Sequence, residues 1–256
     1  MHMDTPSYNK VINVVIPMAG RGTRFTSAGY TEVPKPLIDV HGAPMIQRVI
    51  ENLNTYTKGK LQFHFIVYKE HINNFKVDEL LYKLLPDCNI VTVAKTPQGP
   101  CASSLEAIYY INNDNPLIIT NSDQIIEDLN LDKFIETADK HKLEGLVGTF
   151  DSDSPKNSYI EMDINKEFGV RIREKEVISK FATNGFHYWK KGSYFVSSSL
   201  EMILRNDTVN GEYYVAPSYN YLINKKYKIG KYQFKEHYPI GIPSDLKIYL
   251  QKKKAI

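Results

Sequence analysis

A glycine-rich turn near the start of the chain holds the first residues whose types suit chemistry. The apolar run VINVVIP leads into MAGRGTRF, which contains Gly20, Gly22, Thr23 and Arg24. Glycines let backbone N–H groups approach phosphate oxygens closely, and such a turn binds anions. The turn lacks the GK[ST] of a Walker loop, and Phe25 stands where a dinucleotide-binding fingerprint needs its third glycine. The residues therefore predict a phosphate-binding turn of another type.

A lysine between two prolines follows this turn. In the segment VPKPL, Pro34 and Pro36 stiffen the backbone around Lys35. A cation held beside a phosphate-binding turn suits the charge of a nucleoside triphosphate, so we expect Lys35 to face the phosphates. The alternative is a tight strand-to-helix turn with surface arginines, next to an ordinary proline turn.

A carboxylate follows an apolar run in the middle of the chain. The run over residues 116–120 leads to Ser122 and Asp123. In open α/β sheets, ligands bind at the carboxyl ends of the strands. Mg²⁺ prefers oxygen ligands and commonly uses one or two carboxylates together with substrate phosphates and waters. Asp123 is therefore a candidate Mg²⁺ ligand, and the alternative is an aspartate that caps a helix.

The elements that must position these groups alternate between two patterns in the first half of the chain. Short apolar runs predict strands at 11–16, 61–68, 89–94, 116–120 and 145–150. Between them, apolar residues recur at three- and four-residue spacings over 44–53, 77–85 and 102–111. That spacing is typical of one-sided helices packed on a sheet. The alternation predicts parallel strands joined by crossover helices.

The pattern changes after residue 150. The later half predicts antiparallel strands at 159–164, 169–172 and 181–188, then helices at 193–204 and 212–223. We find no internal repeat and no low-complexity linker. We therefore expect one α/β domain over 1–256 with a mixed, mainly parallel central sheet flanked by helices. About 11–150 would form the nucleotide-binding half, and about 151–256 the acceptor-binding half with a smaller antiparallel subregion.

Bulk properties argue against several other classes of protein. The net charge is +3 and the lysines are scattered, which gives no case for nucleic acid as a partner. No apolar run reaches the roughly 20 residues that span a bilayer, and the polar start MHMDTPSYNK lacks the apolar core of a signal peptide. The two cysteines, Cys88 and Cys101, suggest a reducing, cytoplasmic setting. The tyrosine-rich later segments would suit contacts with a second copy of the chain.

The segments IPMAGRGTRF and PKPLIDVHGAPMI together resemble the signature region of the sugar-phosphate nucleotidyltransferases, in spacing and in order. That family has a glycosyltransferase-A-like α/β fold. The resemblance implies that Gly20, Gly22, Thr23 and Arg24 hold the triphosphate. It also implies that Lys35 neutralises charge around the reacting phosphates and that Asp123 binds the metal, Mg²⁺.

Residues 96–104, TPQGPCASS, resemble the family's base-binding loop. The resemblance implies that Gln98 reads a base edge with its amide donor and acceptor, and that Gly99 offers backbone contacts. Ala19 and Ser122, the neighbours of the glycine turn and of the strand-end aspartate, complete the predicted nucleotide-binding set.

Two later segments resemble the acceptor-binding parts of the family. In REK and the strand that follows it, the resemblance implies that Glu174 accepts hydrogen bonds from the acceptor, that Lys175 binds its phosphate and that Gly185 leaves space for it. In VNGEYY, it implies that Glu212, at the start of a late helix, points toward the acceptor. The alternatives are a solvated charge run for the first segment and helix capping by Asn210 for the second.

The sequence departs from the family pattern at two positions. The family often has a second metal-binding aspartate two residues before the glycine of a late GTP-like segment, and the matching segment YPIGIPSDL has Pro239 there. The second metal ligand is therefore unassigned. Glu176 replaces the proline that usually follows the lysine of the acceptor turn.

Together these features predict an enzyme that transfers NMP from a nucleoside triphosphate to a phosphorylated small molecule and releases pyrophosphate. The foremost acceptor is a sugar 1-phosphate, used for surface polysaccharide precursors. The acceptor phosphate is already a nucleophile near neutral pH, because its second pKa is about 6. One alternative is a CTP-dependent cytidylyltransferase that acts on a phosphorylated alcohol or amide. Another is a catalytically inactive nucleotide-binding protein, and the GRGTRF and PKP pair argues against a glycosyltransferase.

Overall fold

A nine-stranded mixed sheet organises the fold in a computed structural model, which describes residues 10–30 and 32–253. The segment 1–9, in which the sequence predicts no signal peptide, lies outside the described residues. The strands are β1 (Lys10–Pro17), β2 (Asp39–Val40), β3 (Ala43–Pro44), β4 (Gly59–Tyr68), β5 (Asn89–Val93), β6 (Leu117–Thr120), β7 (Gln124–Ile126), β8 (Gly145–Asp151), β9 (Ser158–Met162), β10 (Gly169–Glu174), β11 (Phe181–Trp189), β12 (Ile229–Gln233) and β13 (His237–Pro239).

In the described residues, helices lie in six of the twelve connections between consecutive strands. The α-helices are α1 (Thr23–Thr26), α2 (Met45–Leu53), α3 (Lys69–Phe75), α4 (Val77–Leu84), α5 (Pro100–Leu105), α6 (Ile108–Ile111), α7 (Leu131–Lys140), α8 (Gly192–Leu204), α9 (Tyr219–Asn224) and α10 (Pro243–Lys253). Short 3-10 helices cover Lys35–Leu37 and Ala216–Ser218. In the part of the chain that the structure describes, no helix has both the length and the apolar character to cross a bilayer.

The sheet is parallel in its first half and antiparallel where the second half joins it. Along one path the strand order is β10-β9-β11-β6-β1-β4-β5, while β8 pairs with both β11 and β12. The pairs of β1 with β4 and β6, of β4 with β5 and of β8 with β12 are parallel. Strand β11 runs antiparallel to β6, β8 and β9. The predicted mixed, mainly parallel α/β fold is confirmed.

Both faces of the sheet are buried. In β1, Ile12, Val14 and Ile16 belong to one core, and Val15 belongs to the other. Alternate residues of a strand point to opposite faces, so each face needs its own apolar set. Helices α2, α7 and α10 supply side chains to the first core, and α5, α8 and α9 supply them to the second. The carboxyl ends of the parallel strands are consequently held between two helical layers.

The helix predicted over 212–223 is wrong at its start. Val209 and Glu212 exchange backbone hydrogen bonds of 3.0 and 3.1 Å across a tight turn. Asn210 and Gly211 inside the turn have φ of 51° and 77°, a left-handed conformation that is typical of hairpin turns and does not occur in a right-handed helix. The chain becomes helical only at Ala216–Ser218 and then in α9. Asn210 therefore does not cap a helix, and the helix predicted over 102–111 is divided into α5 and α6.

A buried histidine links three neighbouring strands. His64 of β4 is 1% exposed. Its Nε2 lies 3.0 Å from Oδ1 of Asn13 on β1, and its Nδ1 lies 3.2 Å from Nδ2 of Asn89 on β5. An imidazole that is protonated only on Nε2 donates to Asn13 and accepts from Asn89. Burial lowers the pKa of His64 to about 4, because the charged ring would lose its hydration.

This histidine makes the stability depend on pH. Between the ordinary histidine pKa of about 6.5 and the folded value, the unfolded chain binds a proton that the folded chain does not. The contribution of His64 to the free energy of unfolding is complete above about pH 6.5 and decreases by about 3 kcal/mol as the pH falls to about 4. The free energy of unfolding is measured by urea unfolding at several pH values between 4.5 and 7.5. It should change less with pH in His64→Gln than in the wild type. The control is His141→Gln, because His141 is exposed; its pH dependence should match that of the wild type. The same pH dependence in His64→Gln as in the wild type would contradict the role given to His64.

Candidate active site

The glycine-rich turn and the proline-flanked lysine lie against each other, as the sequence predicts. Gly22 has φ 63° and precedes α1, where its carbonyl oxygen accepts the Phe25 N–H at 2.9 Å. A Cβ on Gly22 would lie 3.1 Å from Cβ of Lys35. Both the positive φ and this close approach favour glycine. A Cβ on Gly20 would meet nothing within 4 Å, so Gly20 borders open space.

Lys35 forms an ion pair with Asp123 across the cleft. Nζ of Lys35 lies 2.7 Å from Oδ2 of Asp123, and the two side chains are 18% and 20% exposed. The Asp123 carbonyl oxygen accepts the Ile240 N–H at 2.9 Å. A Cβ on Gly241 would overlap the same Oδ2. The late glycine segment therefore packs directly on the carboxylate and helps to fix its position.

The carboxyl of Asp123 is ionised. Burial alone would raise its pKa, but the charge and hydrogen bond of Lys35, with smaller effects of Arg24 and His237, lower the pKa below its usual range. The residue after Asp123 begins strand β7, so Asp123 does not cap a helix. The alternative of a capping aspartate is wrong.

Two adjoining cavities bring ten of the predicted site residues together. Their volumes are about 600 and 280 Å³, and Gly20, Arg24, Lys35, Thr96 and Glu212 line both of them. The predicted residues in these walls are Ala19, Gly20, Gly22, Thr23, Arg24, Lys35, Gly99, Ser122, Asp123 and Glu212. Lys95, which no sequence pattern indicated, adds a further cation to the larger cavity. We call these two cavities the nucleotide cleft.

The loop predicted to bind the base is tied to the turn over 209–213. Nε2 of Gln98 donates to the Gly211 carbonyl oxygen at 2.7 Å, and the Gln98 carbonyl accepts the Tyr213 N–H at 3.0 Å. The Cys101 N–H donates to the Tyr213 carbonyl at 2.9 Å. Gly99 has φ 95°, and a Cβ there would lie 2.6 Å from that oxygen. The glycine thus serves this close backbone packing, and Gln98 lines neither cavity of the nucleotide cleft.

A third cavity of about 620 Å³ adjoins the cleft, and Arg24, Asp123 and Gly241 line it as well. We call it the acceptor cavity. Glu174 and Gly185, two of the predicted acceptor-binding residues, lie in its wall. So does Tyr214, which was not among the predicted site residues.

Lys175 and Glu212 lie elsewhere than expected. Lys175 is not in the wall of the acceptor cavity: its Nζ donates to the Tyr214 hydroxyl at 2.7 Å, and that hydroxyl donates to Glu212 at 2.7 Å. Lys175 has φ 58°, so the backbone turns sharply just after Glu174. Glu212 lies in the nucleotide cleft because the hairpin-like turn, and not a helix, carries it.

Tyr214 joins Lys175 to Glu212, and Glu174 is hydrogen-bonded separately to Ser158. Burial raises the pKa of Glu174, although a short hydrogen bond from the Ser158 hydroxyl opposes the effect. The hydrogen bond with Tyr214 raises the pKa of Lys175, and burial raises that of Tyr214 itself. Tyr214 lies two residues after Glu212 and outside any helix or strand. At such a position the sequence pattern carries no signal for a side chain that joins two segments.

Gly185 lines the acceptor cavity and also leaves space for a protein side chain. It has φ 75°, and a Cβ there would overlap Nδ2 of Asn121. That Gly185 leaves space for the acceptor stays a prediction. The missing Cβ lets Asn121, which follows β6, pack against β11 where the nucleotide cleft and the acceptor cavity meet.

Asp123 is the carboxylate of the nucleotide cleft that the sequence assigns to a metal ion. Within residues 10–30 and 32–253, no group of three or more His, Cys, Asp or Glu side chains is arranged to hold a metal. The position two residues before Gly241 is Pro239, which pairs with Gln124 in the small sheet of β7 and β13. Asp245 lies in the first turn of α10 and lines the acceptor cavity. The second ligand is still unassigned.

Neither cysteine lines the nucleotide cleft or the acceptor cavity. Cys88 and Cys101 are buried free thiols. Burial raises the pKa of Cys88 to about 11 and that of Cys101 to about 12. A thiol must ionise to act as a nucleophile, so both residues serve packing.

The sheet and the cleft at its strand ends define a nucleotidyltransferase domain. Residues 14–158 match the family described as the MobA-like NTP transferase domain. This match covers more than half of the chain, and the chain belongs to that family.

One curated protein is similar to this chain in sequence. The chain is 27% identical over 236 residues to the bifunctional protein GlmU of Thermodesulfovibrio yellowstonii, and the match covers 88% of this chain and 48% of that protein. The chain thus spans about half the length of this curated relative.

Two solved structures share the fold. A nucleoside-diphosphate-sugar pyrophosphorylase from Vibrio cholerae RC9 matches with a TM-score of 0.80 and 22% identity, over 93% of this chain and 99% of that one. A UDP-glucose pyrophosphorylase complexed with UDP-glucose matches with a TM-score of 0.74 and 17% identity, over 96% and 99%. At these identities the likeness establishes the fold alone.

The contact between Gly241 and Asp123 predicts the effect of one methyl group. In Gly241→Ala the added Cβ must push the carboxylate away from Lys35, so we expect nucleotidyl transfer to fall by about a hundredfold. The control is Gly42→Ala, where a Cβ meets nothing within 4 Å and φ is 79°. That variant should lose about 1 kcal/mol of stability through backbone strain and keep its activity. Activity and urea unfolding of both variants check this, and full activity in Gly241→Ala would contradict it.

Proposed function

We propose that this chain transfers NMP from a nucleoside triphosphate to a phosphorylated small molecule, foremost a sugar 1-phosphate, and releases pyrophosphate. The observation that supports this most directly is that Arg24, Lys35 and Asp123 converge where the nucleotide cleft meets the acceptor cavity. Solved structures described as sugar nucleotide pyrophosphorylases favour a sugar phosphate as the acceptor. We place the reaction in the cytoplasm, in the synthesis of surface polysaccharide precursors.

In this proposal the chain aligns the two substrates and needs no covalent intermediate. An acceptor phosphate is already nucleophilic near neutral pH, so no general base is required. Its oxygen would attack the α-phosphorus in line, and negative charge would pass to the leaving pyrophosphate. Arg24 and Lys35 are the fixed cations that would stabilise this charge.

The backbone of the glycine-rich turn would hold the triphosphate. Gly20 borders open space, and Gly22 keeps the turn against Lys35. Thr23 and Ala19 line the same cleft. We propose that N–H groups of this turn face the phosphates, as in other anion-binding turns.

The base would lie farther along the cleft, between Gly99 and Ser122. Because the Gln98 amide nitrogen is bonded to Gly211, we propose that Gln98 positions the loop and does not read a base edge. Glu174 would contact the acceptor from the wall of the acceptor cavity, and Lys175 would orient Tyr214. In this proposal residues 11–150 form most of the nucleotide side and 151–256 most of the acceptor side.

The donor set fits Mg²⁺ as the metal ion. Asp123 offers carboxylate oxygen, and no sulfur or imidazole cluster competes for the ion in the described ranges. Mg²⁺ is commonly bound by one or two carboxylates, substrate phosphates and waters. When bound, Mg²⁺ stabilises charge that develops on the phosphates. Lys35 and the ion would both contact the Asp123 carboxylate, so we propose that the pair in the free protein keeps the carboxylate ionised and oriented.

A pyrophosphate-release assay tests the proposed function. The four NTPs are combined with hexose 1-phosphates, glycerol 3-phosphate and a phosphorylated amide, in Mg²⁺ and again after EDTA. We expect release with one NTP and a hexose 1-phosphate, and loss of release in EDTA. Release only with CTP and a non-sugar acceptor would favour the cytidylyltransferase alternative. NTP binding without release from any pair would favour an inactive nucleotide-binding protein.

The role of Lys35 is tested by its removal. Lys35→Ala should lower turnover by about 10²- to 10³-fold, because a fixed positive charge near the transferring phosphates is lost. The matched control is Lys60→Ala, which breaks an exposed pair with Asp87 at 3.3 Å. We expect that control to change turnover by less than about twofold. Full turnover in Lys35→Ala would contradict the proposed stabilising role.

A further inference from the structure

A bulge in β11 shapes the floor of the acceptor cavity. Thr183 pairs with Thr149 of β8, and His187 pairs with Val147, so three residues of β11 face one residue of β8. Residues three apart in a regular strand point to opposite faces. The bulge lets both Asn184 and His187 line the acceptor cavity.

Each of these side chains carries a buried polar atom without a hydrogen-bond partner in the described protein. Asn184 and His187 are 3% and 4% exposed. The atoms are Nδ2 of Asn184 and Nδ1 of His187. Oδ1 of Asn184 accepts the Phe186 N–H at 3.2 Å, so the orientation of the amide is fixed and its nitrogen is the group left over. Buried polar groups are normally paired, so a ligand that pairs them accounts for their placement.

The floor made by these residues is uncharged. The His187 ring lies 6.0 Å from the Trp189 ring and 5.9 Å from the Tyr219 ring. Burial lowers the pKa of His187 to about 3, so the imidazole is neutral at physiological pH. The charged side chains in the cavity wall come from other elements: Arg24, Asp123, Lys156, Glu174 and Asp245.

A neutral floor favours ligand groups that form hydrogen bonds over charged groups and alkyl groups. A carboxylate or ammonium placed on it would lose hydration without an opposite charge on β11. An alkyl group would leave both polar atoms unpaired. A hydroxyl group satisfies either atom, because it accepts from the amide N–H of Asn184 and donates to an unprotonated Nδ1 of His187. A molecule with several hydroxyl groups can satisfy both.

We propose that Asn184 and His187 are specificity-determining residues that receive neutral hydroxyl groups of the acceptor, as a sugar ring or polyol presents them. This inference rests on the proposed function and narrows its acceptor to a polyhydroxy phosphate. The cavity volume of about 620 Å³ lies in the range of small-molecule sites, about 300–1,000 Å³.

The test uses substitutions that keep the shape of the floor. His187→Phe keeps an aromatic ring beside Trp189 and removes Nδ1. Asn184→Asp keeps an oxygen for the Phe186 N–H and removes the amide donors. The matched control is His71→Phe on α3, because His71 is also buried, has an unpartnered Nδ1 in the described protein and lies outside the acceptor cavity.

The probes are glucose 1-phosphate, its monodeoxy analogues and methyl phosphate. Pyrophosphate release gives KM and kcat, and calorimetry gives binding of each probe. We expect His187→Phe and Asn184→Asp to raise the KM for glucose 1-phosphate about tenfold. The KM for the NTP should stay within about twofold. With the wild type, the KM for the deoxy analogue that lacks the contacted hydroxyl should be about tenfold higher than the KM for glucose 1-phosphate. With the variant, the two KM values should differ little.

Several results would overturn the inference and leave the proposed function intact. One is equal use of methyl phosphate and glucose 1-phosphate by the wild type. Another is an effect of both floor variants no larger than that of His71→Phe. Thermal unfolding of every variant separates a folding defect from a binding defect, and His187→Gln should restore part of the affinity through its amide. If no pair releases pyrophosphate, the proposed function fails, and glucose 1-phosphate binding that is unchanged by either substitution overturns the inference independently.

Discussion

The ion pair between Lys35 and Asp123 is the contact around which the cleft is arranged. It joins segments 88 positions apart in the chain. The lysine is held by its flanking prolines and by the close approach of Gly22 to its Cβ, while the aspartate is held by the end of β6 and by Gly241. The charge and hydrogen bond of Lys35 lower the pKa of the Asp123 carboxyl. The cleft is therefore already charged and shaped before any substrate enters.

The sequence predicts the parts of this arrangement whose causes are local. Alternating apolar runs predict the strands, and the positions of Lys35 and Asp123 follow from short segments beside those strands. The ties between distant segments are not local. Nothing near Gln98 indicates that its amide bonds to Gly211, and nothing near Lys175 indicates that its partner is Tyr214.

The turn over 209–213 and the segment after it carry two local sequence signals that conflict. The apolar residues over 212–223 fit a helical spacing, yet Asn210 and Gly211 form a left-handed turn that delays the helix. An Asn-Gly pair is a turn signal in the sequence itself, and here it prevails over the spacing that follows it. Two glycines of the nucleotide cleft permit different close contacts: Gly22 packs against a side chain, and Gly99 packs against a backbone carbonyl.

The hydrogen bonds between the loop at 98–101 and the turn at 209–213 tie two distant segments of the chain to one another. Glu212 lines the nucleotide cleft, and Tyr214, two residues later, lines the acceptor cavity. A length change in either segment would break these hydrogen bonds unless the other segment changed with it. During divergence of such enzymes, this coupling would make preferences for the two substrates change together.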